Sequence, residues 1–139
     1  MSNSNIKVLL VEDDEVEKMK FQRAVSSLSM NLKVTTNSNG EEALEYLKNE
    51  ENSLPDIILL DLNMPRVHGT EFLATLKKDE DLRYIPVVIL TTSNHKKDIK
   101  SCYKNGIAGY IIKPLRYEDY VSKIDNIFSY WSYNELISS

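Results

Sequence analysis

Five short runs dominated by Val, Ile and Leu, each followed by a longer amphipathic stretch, set the strongest limit on how this chain can fold. The runs are Ile6 to Val11, Leu32 to Thr36, Asp56 to Leu60, Pro86 to Leu90 and Gly109 to Ile112. Apolar runs of this length suit strands covered on both faces, as in a parallel sheet. The stretches between and after them, Glu15 to Leu28, Glu41 to Asn49, Thr70 to Lys77, Lys96 to Lys104 and Tyr117 to Tyr130, read as helices. In the second, Ala43, Leu44 and Leu47 share one face while Glu41, Glu42, Glu45 and Lys48 fall elsewhere. Pro55, Pro65 and Pro86 stand at the edges of elements, where a missing N–H does least harm. Parallel strands need crossover helices, and those crossovers are right-handed. The expected fold is α/β: a doubly wound, five-stranded parallel sheet built from five βα units.

A length of 139 residues is enough for one core and too short for two. The organisation expected is a tail over 1–5, one domain over 6–133 and a second tail over 134–139. A formal net charge of −4 argues against nucleic acid as the main partner. The longest apolar runs are strand-sized, far short of a membrane span. Cys102 is the single cysteine, so no intrachain disulfide forms, and Met1 to Lys7 lacks the apolar stretch of a secretory signal. Both features point to a reducing cytoplasm.

Doubly wound sheets bind ligands beyond the carboxyl ends of their strands. The first run ends in Glu12, Asp13 and Asp14, the third in Asp61, the fourth in Thr91 and the fifth in Lys113. The second ends in uncharged polar residues, as suits a strand away from the binding crevice. Singly, each of these has a plain structural explanation. Asp14, with Glu17 three residues on, reads as a capping box for the first helix. Thr91 alone reads as a strand residue and Lys113 alone as a solvated lysine. Their joint arrival at one rim points to chemistry. Clustered carboxylates resist being ionised together, and a hard divalent cation such as Mg²⁺ relieves the conflict. Asp61 is then placed as a nucleophile toward phosphorus, with the Lys113 ammonium and the Thr91 hydroxyl to hold phosphoryl oxygens.

These motifs and their spacing resemble the response-regulator receiver family of two-component signalling over about residues 6 to 131. Asp61 lies 30 residues before Thr91 and 52 before Lys113, the spacings of the bacterial chemotaxis receiver. The resemblance implies the flavodoxin-like strand order 2-1-3-4-5. It implies Glu12, Asp13, Asp61 and the backbone carbonyl of Asn63 as Mg²⁺ ligands, Asp61 as phosphoacceptor and Lys113 as the phosphate-binding cation. It also implies Thr91 and Tyr110 as a conformational switch, and a cis Lys113–Pro114 bond. PVVILTTS, DIKSCYKNGIAGYIIKP and the terminal IFSYW resemble the small regulators that serve phytochrome-type kinases. The implied role is that of a single-domain regulator, not an enzyme beyond its own phosphorylation and dephosphorylation, whose partner is a sensor histidine kinase of that type. Six of the eight tyrosines, with Trp131, crowd the chain from Tyr103 to Tyr133, which suits a partner surface or a homodimer through the fourth helix, fifth strand and fifth helix. Ile124 and Ile127 are expected to pack on the sheet, and Cys102 to pack and not to react. His68 departs from the family, which has an acid before that glycine.

Two other readings compete. Aspartate-nucleophile phosphohydrolases share the aspartate, cation and lysine, but they place a second acid two residues after the nucleophile. Here that residue is Asn63, which has no proton to give as a general acid. A binding module that works without phosphorylation would have no use for the full set of Asp13, Asp61, Thr91 and Lys113.

Overall fold

The computed structural model describes residues 5–64 and 68–137. Among them strands and helices alternate: β1 (Ile6–Val11), α1 (Glu15–Ser26), β2 (Leu32–Asn37), α2 (Gly40–Lys48), β3 (Ile57–Leu60), α3 (Gly69–Lys78), β4 (Val87–Thr91), α4 (Lys96–Lys104), β5 (Gly109–Ile112) and α5 (Tyr117–Ser132). The strands form one parallel sheet in the order β2-β1-β3-β4-β5. The sequence-based fold and strand order are both observed. No helix among the described residues is long and apolar enough to cross a membrane.

Side chains alternate between the two faces of each strand, and the core divides accordingly. Leu9, Val11, Ile58, Leu60, Val87 and Ile89 face α2, α3 and α4, meeting Ala43, Leu47, Phe72, Leu73, Leu76 and Cys102. Val8, Leu10, Ile57, Leu59, Val88 and Leu90 face α1 and α5, meeting Phe21, Ala24, Tyr120, Ile124, Ile127 and Phe128. The central strands are buried on both sides, which is why their sequences show no polar alternation. Each fully buried Leu or Ile contributes about 1.5–3 kcal/mol relative to exposure. Phe21 and Phe128 meet edge to face at 6.3 Å, and Lys20 lies 4.3 Å over the Tyr120 ring, joining α1 to α5. Trp131 is half-buried and packs against the α1–α5 cluster, while Tyr130 and Tyr133 remain exposed.

The helix ends follow from local chemistry. Asp14 caps α1, its carboxylate accepting from the N–H groups of Val16 (2.8 Å) and Glu17 (3.2 Å). The expected capping box is only half formed. The Asp14 N–H goes to Glu12 Oε2 at 3.2 Å, and Glu17 turns elsewhere. α1 also stops at Ser26, short of Leu28, because the hydroxyls of Ser26 and Ser27 bond to carbonyls of its last turn. Asn39 caps α2, accepting from Glu42 N–H at 2.9 Å. α4 ends in a Schellman turn: Gly106 N–H donates to Tyr103 O at 3.0 Å and Ile107 N–H to Cys102 O at 3.4 Å. The strand over Asp56 to Leu60 begins one residue late, at Ile57. Asp56 instead ties β3 to β1, donating its N–H to Lys7 O at 2.7 Å and accepting from Lys7 N–H at 2.8 Å.

The described peptide bonds are all trans, Lys113–Pro114 included, against the cis bond implied by family resemblance. Trans is the lower-energy form of an X–Pro bond by about 0.5–1 kcal/mol, and Lys113 reaches its partners without isomerising. Pro65 and residues 1–4 and 138–139, which carry most of the expected N-terminal tail and the end of the C-terminal one, lie outside the described residues. Within that C-terminal segment, Asn134 donates its N–H to Trp131 O, and Leu136 packs against the core.

Gly106 has φ of +85°, and open space surrounds the position a Cβ would take. Gly106→Ala is therefore expected to cost about 1–2 kcal/mol through backbone strain alone. Urea denaturation should show this loss with the slope of the transition unchanged.

Candidate functional site

The register brings the acidic residues together. Val11 pairs with Leu60, so the residues that follow, Glu12 and Asp61, leave the sheet side by side. Asp61 N–H donates to Val11 O at 3.1 Å, extending the ladder one step past the strand. One carboxylate oxygen from each of Glu12, Asp13 and Asp61 lies within 4.8 Å of the others. Glu12 and Asp61 are buried and Asp13 is half-buried. Lys113, at the end of β5, sends its stem back across the rim. Its Nζ stands 2.7 Å from Glu12 Oε1, 3.1 Å from Glu17 Oε1 and 3.9 Å from Asp61 Oδ2.

Burial pushes the Glu12 carboxyl up to about 7, against the pull of the Lys113 ammonium, and the Asp61 charge adds to the rise. Burial alone would lower Lys113. The hydrogen bond to Glu12 and the charges of Asp61, Glu12 and Glu17 outweigh it and leave that group above its ordinary value. Three converging carboxylates with one ammonium leave a local excess of negative charge, which a hard cation with oxygen ligands relieves. The oxygen-only donor set fits Mg²⁺ or Mn²⁺ and offers a thiolate-seeking metal nothing.

Backbone N–H groups on either side of residues 65–67 close in on the end of β3. Asn63 N–H approaches Asp61 Oδ1 at 3.4 Å, and the N–H groups of Met64 and Gly69 both reach Leu62 O at 3.1 Å. A Cβ on Gly69 would stand 2.6 Å from Leu62 Cα and 2.7 Å from Asp61 O, so only glycine lets α3 start this close to the aspartate. His68, the family departure, caps α3. Its Nδ1 accepts from Thr70 N–H at 3.2 Å, the capping an acid would otherwise supply.

Thr91 and Tyr110 form a second group that meets at Ser93. Ser93 N–H points to Thr91 Oγ1 at 3.4 Å, and Tyr110 OH donates to Ser93 O at 2.9 Å. The Ser93 hydroxyl donates to Asp98 Oδ2 at 2.6 Å, on the first turn of α4. Lys113 N–H donates to Thr91 O at 2.8 Å, joining this group to the acidic corner. Thr91 is the last residue of β4 and is fully buried. Cys102 is buried beneath α4, where burial and the Asp98 charge push its thiol up to about 11, leaving little nucleophilic thiolate.

Glu12, Asp13, Asp61 and Lys113 thus meet directly, Asn63 flanks them, and Thr91 and Tyr110 connect through Ser93. Two participants escaped the sequence reading, Glu17 and Asp98. Glu17 lies four residues after Asp13, and helical side chains lean toward the helix N-terminus, so a first-turn carboxylate overhangs the end of β1. That spacing is the available signal, and it coincides with the capping-box spacing from Asp14.

A doubly wound sheet in this strand order, with carboxylates at the ends of β1 and β3 and a hydroxyl and an ammonium at the ends of β4 and β5, defines a receiver domain. The chain belongs to the response regulator receiver domain family, whose model matches residues 8–125. It is 41% identical over 127 residues to the probable methanogenesis regulatory protein FilR2 of Methanothrix harundinacea, covering 89% of this chain and 82% of that protein. It is 34% identical over 134 residues to response regulator Rcp1 of Synechocystis sp., covering 94% and 91%. The Mn²⁺-bound crystal structure of Rcp1 superposes with a TM-score of 0.84 at 32% identity, covering 91% of this chain and 94% of that one. The phosphorylated cyanobacterial phytochrome response regulator RcpA gives 0.90 at 34% identity, covering 96% and 99%.

Gly69→Ala forces a methyl group against backbone that has no room to yield. The variant is expected to lose about 2 kcal/mol or more, measurable by urea denaturation, against the smaller loss for Gly106→Ala.

Proposed function

We propose that this chain is a single-domain response regulator that accepts a phosphoryl group on Asp61 from the phosphohistidine of a sensor histidine kinase. The observation that carries the reading is the placement of the Asp61 carboxylate, flanked by Glu12 and Asp13 and with the Lys113 ammonium 3.9 Å away. A carboxylate oxygen of Asp61 attacks phosphorus. The P–N bond breaks, its electron pair stays on the imidazole nitrogen, and an acyl phosphate P–O bond forms. Lys113 is placed to pair with one phosphoryl oxygen and Thr91 to donate to another. A divalent cation held by Glu12, Asp13, Asp61 and the Asn63 carbonyl, Mg²⁺ in this reading, neutralises phosphoryl charge when bound. On this reading the chain is no enzyme beyond turning over its own acyl phosphate. The similarity to RcpA, a phytochrome response regulator, supports a kinase of that type.

Phosphorylation adds about −1.5 to −2 charges at one point. Thr91 turning its hydroxyl toward that charge gives up its contact with Ser93, and Ser93 O is the acceptor of Tyr110 OH. A shift at Thr91 is thereby passed to Tyr110 and on to the face of α4, β5 and α5. That face exposes Tyr103, Ile112, Tyr130 and Tyr133, with Leu115 fully exposed after β5, and we assign it to a downstream protein or a second copy of the chain. The cytoplasm, where such kinases present their phosphohistidine, is the compartment this role requires.

Incubation with Mg²⁺ and acetyl phosphate is expected to add one phosphoryl group by intact mass, with no gain when Mg²⁺ is chelated and none in Asp61→Asn. Folded wild-type protein that gains nothing, beside a receiver that does, would overturn the assignment of Asp61. Asp98→Ala removes the acceptor of the Ser93 hydroxyl and should cost about 1.5 kcal/mol. The Tyr110 ring resonances should shift at the same time, because Ser93 loses its tether to α4; unshifted resonances would separate Asp98 from the switch.

A further inference from the structure

Glu17 stands on the first turn of α1 with its carboxylate turned inward. Its side chain keeps 27% exposure, but the Oε1 that faces Lys113 Nζ at 3.1 Å is buried and makes no hydrogen bond. The same Nζ donates to Glu12 Oε1 at 2.7 Å and is 3.9 Å from Asp61 Oδ2. The ammonium therefore sits closer to two other carboxylates than to the aspartate. Glu12 has a second task, since Oε2 accepts the Asp14 N–H and the carboxylate belongs to the acidic corner. Glu17 has none. Asp14 already caps α1, and the cation of that turn, Lys18, is held by Glu15 at 2.8 Å and by Ser38. The Glu17 carboxylate is thus committed to Lys113 by charge alone.

We propose that Glu17 is a positioning residue that holds the Lys113 ammonium back from Asp61 and thereby slows the acceptance of a phosphoryl group; this rests on Asp61 being the acceptor. For Lys113 to pair with an incoming phosphoryl oxygen it must loosen from Glu17. The Glu17 charge also opposes the incoming anion. The two effects have the same sign, so removing the charge speeds the step. With acetyl phosphate the P–O bond to the acetyl group breaks, its electron pair leaves with acetate, and the new P–O bond forms at Asp61.

Glu17→Gln keeps the shape and removes the charge. Glu17→Asp keeps the charge on a stem one methylene shorter, too short for the same contact. Phosphorylation by acetyl phosphate is followed at saturating Mg²⁺ for wild type and both variants, after circular dichroism establishes that each is folded. In parallel, the Lys113 side-chain ammonium is followed by NMR without phosphodonor. Glu17→Gln is expected to raise the rate by about threefold and to move the Lys113 resonance, with Glu17→Asp in between. An equal or slower rate in folded Glu17→Gln, or an unmoved Lys113 resonance, overturns the proposal while leaving Asp61 as acceptor. A wild-type protein that takes no phosphoryl group overturns the acceptor reading itself and the rate effect with it. The Lys113 resonance distinguishes the two cases, because the ion pair shows there whether or not phosphorus is transferred.

Discussion

The parallel pairing of β1 with β3 is the constraint on which the rest depends. Because Val11 and Leu60 share a register step, the chain has to bury Glu12 and Asp61 side by side at the end of two strands that are apolar on both faces. Neither carboxylate would be stable there as an isolated charge. The Lys113 ammonium, itself nearly buried, is the compensation that the chain supplies on its own. Its position explains the rise of Glu12 to about 7 as a contest between burial and one cation shared among several anions. The chemistry assigned to the rim is an extension of that contest. In the proposed function, a divalent cation and a phosphoryl group would change which anion the lysine serves.

Much of this was legible in the residues, for identifiable reasons. The central strands are covered on both faces, so they read as unbroken runs of Ile, Leu and Val, and Asp61 and Thr91 follow those runs as polar stops. A cap residue with a short polar side chain, such as Asp14, announces its helix because a single side chain supplies the missing partner. The errors fall where one residue had two possible partners. Glu17 could have closed a capping box or faced Lys113, and only the distance across the rim decides between them. His68 reads as an anomaly against the family but is an ordinary cap once α3 is seen to begin at Gly69. A cis Lys113–Pro114 bond is an implication of the family resemblance alone, and nothing local to those two residues specifies an isomer.

Ser93 shows a different limit. Its backbone and hydroxyl reach Thr91, Tyr110 and Asp98 at once, three residues from three successive elements. No periodicity in the sequence marks such a junction, because its partners are set by how α4 leaves the sheet. There the Ser93 backbone couples the end of β4 to the ring on β5, and its hydroxyl couples it to the first turn of α4.

The contact at Gly69 has a mechanical consequence. With α3 seated directly on the Asp61–Leu62 backbone, at a separation that admits no side chain, the β1–β3–α3 half of the rim is a stiff jaw that carries the aspartate as a fixed point. In the opposite half the strands keep their backbone pairing, but the links from the end of β4 to Tyr110 and to α4 are single hydrogen bonds of Ser93, which exchange partners far more readily than packed backbone. In the proposed switch, a displacement created at the aspartate therefore passes into α4 and β5, as through a lever with a clamped end and a compliant one.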